Sequence, residues 1–146
     1  MGKVRIETKL RNGGKLPVQG KPGSAGHDVA STDDVNIPAF SRVMVGTGVF
    51  TKIPLGYEIQ LRPRSGLAWK KGVTVLNTPG TIDFGYLAEI KVILINTTNK
   101  SVHIEKGERI AQFVVKVVED VEYILVDEFS DVEYDRNGGF GSSGSK

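Results

Sequence analysis

Tyr57-Glu58-Ile59-Gln60-Leu61-Arg62-Pro63-Arg64-Ser65-Gly66-Leu67-Ala68-Trp69-Lys70-Lys71-Gly72 shows two patterns side by side. Its first five residues alternate between apolar and polar, the period of a half-buried strand. From Ser65 to Gly72 the pattern changes to one short helix, with a cap expected at Ser65 and a glycine stop at Gly72. No other segment keeps a long 3.6-residue period. Val4-Arg5-Ile6-Glu7, Arg42-Val43-Met44-Val45 and Ser101-Val102-His103-Ile104 alternate in the same way. Val92-Ile93-Leu94-Ile95 and the run from Gln112 to Val118 are more continuously apolar, as strands covered on both faces are. Turn signals separate them at Asn12-Gly13-Gly14, Pro22-Gly23, Pro54-Leu55-Gly56, Pro79-Gly80 and Lys106-Gly107. Many short strands with one helix predict an all-β sandwich or barrel.

Length and composition bound the rest. The chain has 146 residues, the size of one domain. Nineteen Lys and Arg against seventeen Asp and Glu leave a net charge of +2, too small an excess for a duplex nucleic-acid binder. With no cysteine, a disulfide scaffold, an iron–sulfur site and the common structural zinc sites are excluded. The apolar fraction of 39% with 25% charged residues suits a soluble globular chain. Residues 1–15 contain no apolar segment long enough for a signal peptide and no stretch approaches a membrane span, so the expected location is cytoplasmic, with no membrane partner.

Glycine is enriched, at 18 residues, or about 12% against a usual ~7%, and it crowds toward the end. Asp135-Arg136-Asn137-Gly138-Gly139-Phe140-Gly141-Ser142-Ser143-Gly144 has one bulky apolar side chain and cannot build a core. Composition reads it as a disordered tail. Chemistry reads it as a strap over a ligand: glycines let backbone N–H groups approach phosphates, Arg136 brings charge and Phe140 a flat surface. Gly139 to Gly144 also matches G-x-G-x-x-G, but no strand–helix unit surrounds it, so a dinucleotide-binding reading fails on context.

Four further segments carry polar groups in suggestive places. Pro63-Arg64-Ser65-Gly66 follows a strand and opens the helix, so backbone N–H groups, a bidentate guanidinium and a hydroxyl face any anion there; a plain turn with a surface arginine has the same sequence. Asn77-Thr78-Pro79-Gly80-Thr81-Ile82-Asp83-Phe84-Gly85-Tyr86 lies between two strand-like runs and reads as a wide hairpin whose peptide groups suit a flat ring. Asp83 and Tyr86, three apart, fit one pocket, or else a turn aspartate and a strand aromatic. Ala25-Gly26-His27-Asp28 holds an aspartate suited to metal-bound water or to closing a turn. In Gly107-Glu108-Arg109-Ile110-Ala111-Gln112, Glu108 and Arg109 read as an ion pair at a strand start. His27 and His103 lack a metal-ligand cluster and read as structural, and Trp69 reads as helix packing.

In order and spacing, Ala25–Val29, Pro63–Gly66, Asn77–Ile90, Gly107–Gln112 and Arg136–Gly144 resemble the five motifs of trimeric deoxyuridine triphosphate nucleotidohydrolases (dUTPases). The resemblance covers nearly the whole chain. It implies a jelly-roll-like β-fold over residues 1–134, with residues 135–146 as a tail closing over the active site. It also implies a homotrimer with sites shared between chains, and a magnesium-dependent reaction of dUTP with water giving dUMP and pyrophosphate. That reaction limits uracil incorporation into DNA and supplies dUMP for thymidylate synthesis. By the same resemblance, Asp83 activates the water and holds the 3′-hydroxyl, and Tyr86 packs on the sugar and excludes ribonucleotides. Asn77, Gly80, Thr81 and Ile82 read uracil, with Lys91 on the returning strand. Arg64, Ser65, Gly66 and Gln112 contact phosphates; Arg136, Phe140, Gly141 and Ser142 close the site from the tail. Magnesium has no direct protein ligand, Asp28 touching it only through water. A carboxylate is a weak base, so most of the rate gain must come from aligning the water and stabilising charge at the α-phosphate.

The chain departs from the family pattern at Leu87-Ala88, where Arg-Gly is common, and at His27 and Ser143. The same residues admit two rival readings. A dCTP deaminase on the same fold needs a glutamate as proton shuttle at cytosine C4, where this hairpin has Asp83 and Tyr86. A non-catalytic trimeric nucleotide sensor has no need of Asp83, Arg136 and Phe140 together.

Overall fold

Ile59 and Leu61, the apolar half of the alternation at residues 57–61, are buried against residues of a second sheet, which is why that stretch is a strand. The computed structural model describes residues 2–145. Among them run β1 (Glu7–Leu10), β2 (Val18–Gln19), β3 (His27–Ala30), β4 (Val35–Ile37), β5 (Arg42–Lys52), β6 (Tyr57–Arg62), α1 (Ser65–Lys71), β7 (Val73–Val75), β8 (Gly80–Ile82), β9 (Ile90–Asn96), β10 (Val102–Ile104) and β11 (Arg109–Val117). They pair as a four-stranded sheet β1-β5-β9-β7, a five-stranded sheet β2-β3-β11-β6-β8 and a ribbon β10-β4. The two larger sheets share one core and neither closes on itself, so the fold is an open jelly-roll sandwich and not a barrel.

The core follows from alternation. On β9, Ile90, Val92 and Leu94 point inward, and on β7 so do Val73 and Val75; Ile59, Leu61, Ile110 and Phe113 meet them from the five-stranded sheet. Each such side chain contributes about 1.5–3 kcal/mol relative to leaving it exposed. Helix α1 adds only Leu67 to the core. Trp69, expected to pack the helix, is 90% exposed: two residues turn a helix by about 200°, so it points away from the sheet that Leu67 faces. The expected cap also shifts. Arg64, extended at φ −97 and ψ 127, is the N-cap without a side-chain bond, and Ser65 is the first helical residue. Gly72 ends the helix as expected, at φ 63 with its N–H on Ala68 O.

Two further expectations change. The first strand covers Glu7–Leu10 and not Val4–Glu7, because its partner β5 ends at Lys52, opposite Glu7. On β9 only one face is covered within the chain: Lys91 is exposed, and Ile93 and Ile95 are half-buried beside Met44 (64% exposed) and Leu76. Beyond β11, Val118 N–H bonds Gly56 O, and within the single chain residues 119–145 are exposed, Tyr123, Leu125 and Phe129 included.

One buried amide ties the ends of several strands. The Asn96 side chain is fully buried; its Nδ2 donates to the carbonyls of Ile37, Pro38 and Lys100, and its Oδ1 accepts from Thr98 N–H and Oγ1. Replacing it by Leu leaves buried carbonyls without donors. Asn96→Leu is expected to lower unfolding free energy by about 3 kcal/mol in urea titration; a loss below about 1 kcal/mol contradicts this role.

Candidate active site

Asp83-Phe84-Gly85-Tyr86 forms a tight turn: Tyr86 N–H bonds Asp83 O at 3.2 Å and Gly85 has φ +88. A positive φ at the third residue is what a type II turn requires, and glycine adopts it without strain. The turn brings the first and fourth residues together, so Asp83 and Tyr86 are neighbours for a local reason. Both are exposed, and the Tyr86 hydroxyl donates to Glu89 O at 3.0 Å.

The turn sits in the connection between β7 and β9, which pair antiparallel with Val75 opposite Leu94, the wide hairpin expected from sequence. Inside that connection β8 crosses to the other sheet and pairs with β6, Gly80 opposite Leu61 and Ile82 opposite Ile59. A side chain at Gly80 would press on Leu61, its Cβ 3.1 Å from Leu61 Cβ and 3.4 Å from Asn77 Nδ2. Asn77 therefore hangs over Gly80. As β8 is an edge strand, the backbone groups of Gly80, Thr81 and Ile82 that do not face β6 point outward, unpaired. Lys91 is not gathered here. It stands on the outer face of the four-stranded sheet, opposite Gly46.

A second group lies beyond the other end of β6. Gln112 on β11 has Asp28 on one side and Arg62 on the other, and its Nε2 donates to Pro63 O at 2.9 Å. Its side chain crosses Gly26, where a Cβ would overlap the Gln112 amide. Asp28, only 13% exposed at its side chain, accepts Arg64 Nε on Oδ1 at 3.1 Å and Arg109 Nη1 on Oδ2 at 3.0 Å. Arg64, Ser65, Gly66, Arg109, Gln112 and Lys21 line a cleft of about 460 Å³ with Asp28 at its base. Three cations against one carboxylate leave this cleft net positive.

Arg109 was expected to pair with Glu108 and is instead turned into this cleft. Glu108 pairs with Lys71 at 2.7 Å. Neither Arg109, read as an ion-pair residue, nor Lys21 was expected in this cleft; the only signals were the Lys21-Pro22-Gly23-Ser24 turn and the position of Arg109 three residues before Gln112. His103 is structural as expected, its Nδ1 2.8 Å from Asn36 Oδ1.

The two groups are separate within one chain. Asp83 lines a different cavity, with Tyr57, Phe84, Glu119 and Asp120, in which no cation takes part. From Tyr57 beside Asp83 to Arg64 the chain runs the length of β6, about 20 Å at 3.3 Å per residue. The tail is apart from both: the Arg136 guanidinium bonds Gly138 O, Ser142 N–H bonds Gly139 O, and Phe140 is wholly exposed with Gly141 beside it. Among the described residues no three His, Cys, Asp or Glu gather as metal ligands. With both oxygens of Asp28 on guanidinium groups, the residues present fit a magnesium ion carried on phosphate oxygens and water, and do not form a protein cage.

Behind the cleft, Lys71 and Glu108 tie the end of α1 to the start of β11. Burial raises the Glu108 pKa, but the Lys71 hydrogen bond, the Glu105 N–H and the charges of Lys71 and His103 outweigh it and hold the carboxyl below its ordinary 4.5. A depressed folded value means the tie stabilises above the ordinary range and is lost as pH falls through the folded value. The wild type should therefore exceed Glu108→Gln in stability at neutral pH, the two converging on acidification; a difference independent of pH contradicts this.

Comparison with known proteins agrees with this geometry. The dUTPase family model matches residues 12–144. A deoxyuridine 5'-triphosphate nucleotidohydrolase of Hydrogenobaculum sp. is 55% identical over 139 residues, which is 94% of this chain and 96% of the relative. One from Nautilia profundicola is 50% identical over 142 residues, 97% of this chain and 99% of the relative. Among solved structures, the Staphylococcus bacteriophage 80alpha dUTPase with dUPNHPP matches at a TM-score of 0.87 and 28% identity, covering 96% of this chain and 98% of that one. The chain, matched over nearly its full length in sequence and in fold, belongs to the dUTPase family.

Proposed function

We infer that the chain hydrolyses dUTP to dUMP and pyrophosphate, and that it does so as a homotrimer in which the Asp83 turn of one copy faces the cationic cleft of another. The observation that carries the second part is the separation along β6. A water attacking the α-phosphorus must lie within about 3.5 Å of it and within hydrogen-bond reach of Asp83. The β-phosphate is one bridging oxygen further on. Arg64 of the same chain, about 20 Å away along the strand, cannot hold that phosphate; Arg64 of a second copy can. Two unlike surfaces meeting head to tail close into a ring when the rotation allows. The outer face of the four-stranded sheet, with Met44, Leu76, Ile93 and Ile95, and the exposed apolar side chains at Tyr123, Leu125 and Phe129 are surfaces suited to such neighbours.

In this reading uracil lies along the free edge of β8, where Thr81 and its neighbours offer fixed donors and acceptors beside Asn77. Cytosine would leave buried partners unpaired there. The deoxyribose rests on Tyr86, whose ring occupies the space a 2′-hydroxyl needs. Arg64, Ser65, Gly66, Gln112, Arg109 and Lys21 receive the phosphates. Asp28 holds the two guanidinium groups in place, with any contact to the metal through water. Magnesium, bound with the nucleotide, neutralises phosphate charge. Asp83 accepts a proton from the attacking water; the new bond forms at the α-phosphorus, and the bond to the bridging oxygen breaks. Pyrophosphate leaves with its charge on the guanidinium groups. Arg136, Phe140, Gly141 and Ser142 of the tail then serve as a lid that excludes water. A deaminase is disfavoured by one contact: Glu89, the connection's one glutamate, has its carboxylate turned inward on Gly48 N–H at 2.9 Å.

The test is pyrophosphate release from dUTP, dCTP, dTTP and UTP measured side by side, with Asp83→Asn as the variant. Only dUTP should turn over efficiently, and Asp83→Asn should retain nucleotide binding while losing about 100-fold or more in kcat. Comparable turnover of all four nucleotides, ammonia release from dCTP, or near-normal Asp83→Asn activity contradicts the assignment.

A further inference from the structure

The hairpin connection returns to the sheet through Glu89, whose two ends are both engaged. The carboxylate, half-buried, accepts Gly48 N–H at 2.9 Å; the backbone carbonyl accepts the Tyr86 hydroxyl at 3.0 Å. Gly48 lies in a bulge of β5, where the pairing with β9 skips from Gly46 to Val49. That bulge is held on several sides. Thr47 Oγ1 donates to Ile90 O, Thr32 N–H bonds Gly46 O at 3.1 Å, and Arg11 N–H bonds Gly48 O at 2.9 Å. Thr47 and Gly48 are buried. The absence of a side chain at Gly46 leaves room for the carboxylate, since a Cβ there would come within 3.0 Å of Glu89 Oε1.

The exposed Tyr86 ring is thus joined to a rigid part of the sandwich by a short path: hydroxyl to Glu89 carbonyl, and Glu89 carboxylate to the β5 bulge. Two bonds fix the ring's base and tip: Tyr86 N–H on Asp83 O, and the hydroxyl on Glu89 O. A bulge that re-aims or anchors a neighbouring group is a common device near active sites. An aromatic ring that must reject a single hydroxyl group has to be held to within a fraction of an ångström, because a ring free to tilt makes room for the extra oxygen.

We propose that Glu89 is a positioning residue for sugar discrimination: its carboxylate, fixed on the Gly48 N–H, holds in place the carbonyl against which Tyr86 sets its ring. The proposal rests on Tyr86 being the ring that excludes the 2′-hydroxyl. Glu89 itself turns its carboxylate inward, onto Gly48 N–H. Its effect is on selectivity through Tyr86, which separates it from a residue that merely supports the fold.

The experiment compares kcat/KM for dUTP and UTP in the wild type, Glu89→Ala, Glu89→Gln, Tyr86→Phe and Tyr86→Ala, with thermal unfolding of each. Glu89→Gln keeps an acceptor for Gly48 N–H and should preserve the dUTP-to-UTP ratio within about twofold. Glu89→Ala should lower the ratio by about tenfold, the scale of one lost hydrogen bond, mostly by admitting UTP. Tyr86→Phe removes the link at its other end while leaving the β5 bulge intact. It should lower the ratio in the same direction, and the double variant should fall no further than the larger single effect. A wild-type ratio in both Glu89→Ala and Tyr86→Phe, with Tyr86→Ala losing discrimination, overturns the proposal and leaves Tyr86 in its role. Full discrimination in Tyr86→Ala overturns the reading of Tyr86 itself. If Glu89→Ala does not fold, Tyr86→Phe decides alone: a lowered ratio supports the proposal and an unchanged one overturns it.

Discussion

Strand β6 acts as a spacer. Its neighbour β8 ends in the turn that carries Asp83, and its own far end runs into Pro63 and Arg64, so six paired residues hold the carboxylate and the anion cleft at opposite ends of one sheet. Backbone hydrogen bonds fix that spacing, and no side-chain movement can shorten it. Each half is well made but incomplete. Among the described residues no cation lines the cavity beside Asp83, and the cleft has a carboxylate whose oxygens are both held by arginines. The hydrolysis proposed above, which needs a base and a phosphate clamp around one nucleotide, would therefore draw on two copies of the chain.

Within the cleft, Asp28 organises the rest. Largely shielded from water, it orients two guanidinium groups that would otherwise repel each other, and it leaves the cleft net positive. Its removal would free both arginines and raise their mutual repulsion. The Tyr86 turn is organised in the same manner from behind, by Glu89 and the β5 bulge. In both halves a carboxylate turned into the protein is bonded behind groups that face outward.

Much of this could be read from the sequence where local rules suffice. The alternation at residues 57–61, the glycine stop at Gly72 and the Asp83–Tyr86 spacing depend on a strand period, a helix end and a four-residue turn, and all three are present. What could not be read depends on register. Arg109 stands at a skip in the β11 ladder between Arg109 and Ala111, where Ile110 and Ala111 are both buried, and two adjacent small and branched apolar residues do not by themselves tell a bulge from a strand covered on both faces. Lys21 arrives through a two-residue strand too short to recognise. Trp69 looked like a packing residue by type, but its rotation about α1 relative to Leu67 turned it outward. The uncovered face of β9 gave an apolar run that local pattern cannot distinguish from a strand covered on both sides.

The division of the site between copies is tested most directly by mixing two inactive variants. Asp83→Asn and Arg64→Ala chains, each without activity alone, are unfolded together in equal amounts and refolded, and dUTP turnover is measured. If one copy supplies the base and another the clamp, about one site in four pairs an intact Asp83 with an intact Arg64, and activity returns to about that fraction of wild type. If both groups serve the same nucleotide within one chain, the mixture stays as inactive as its components.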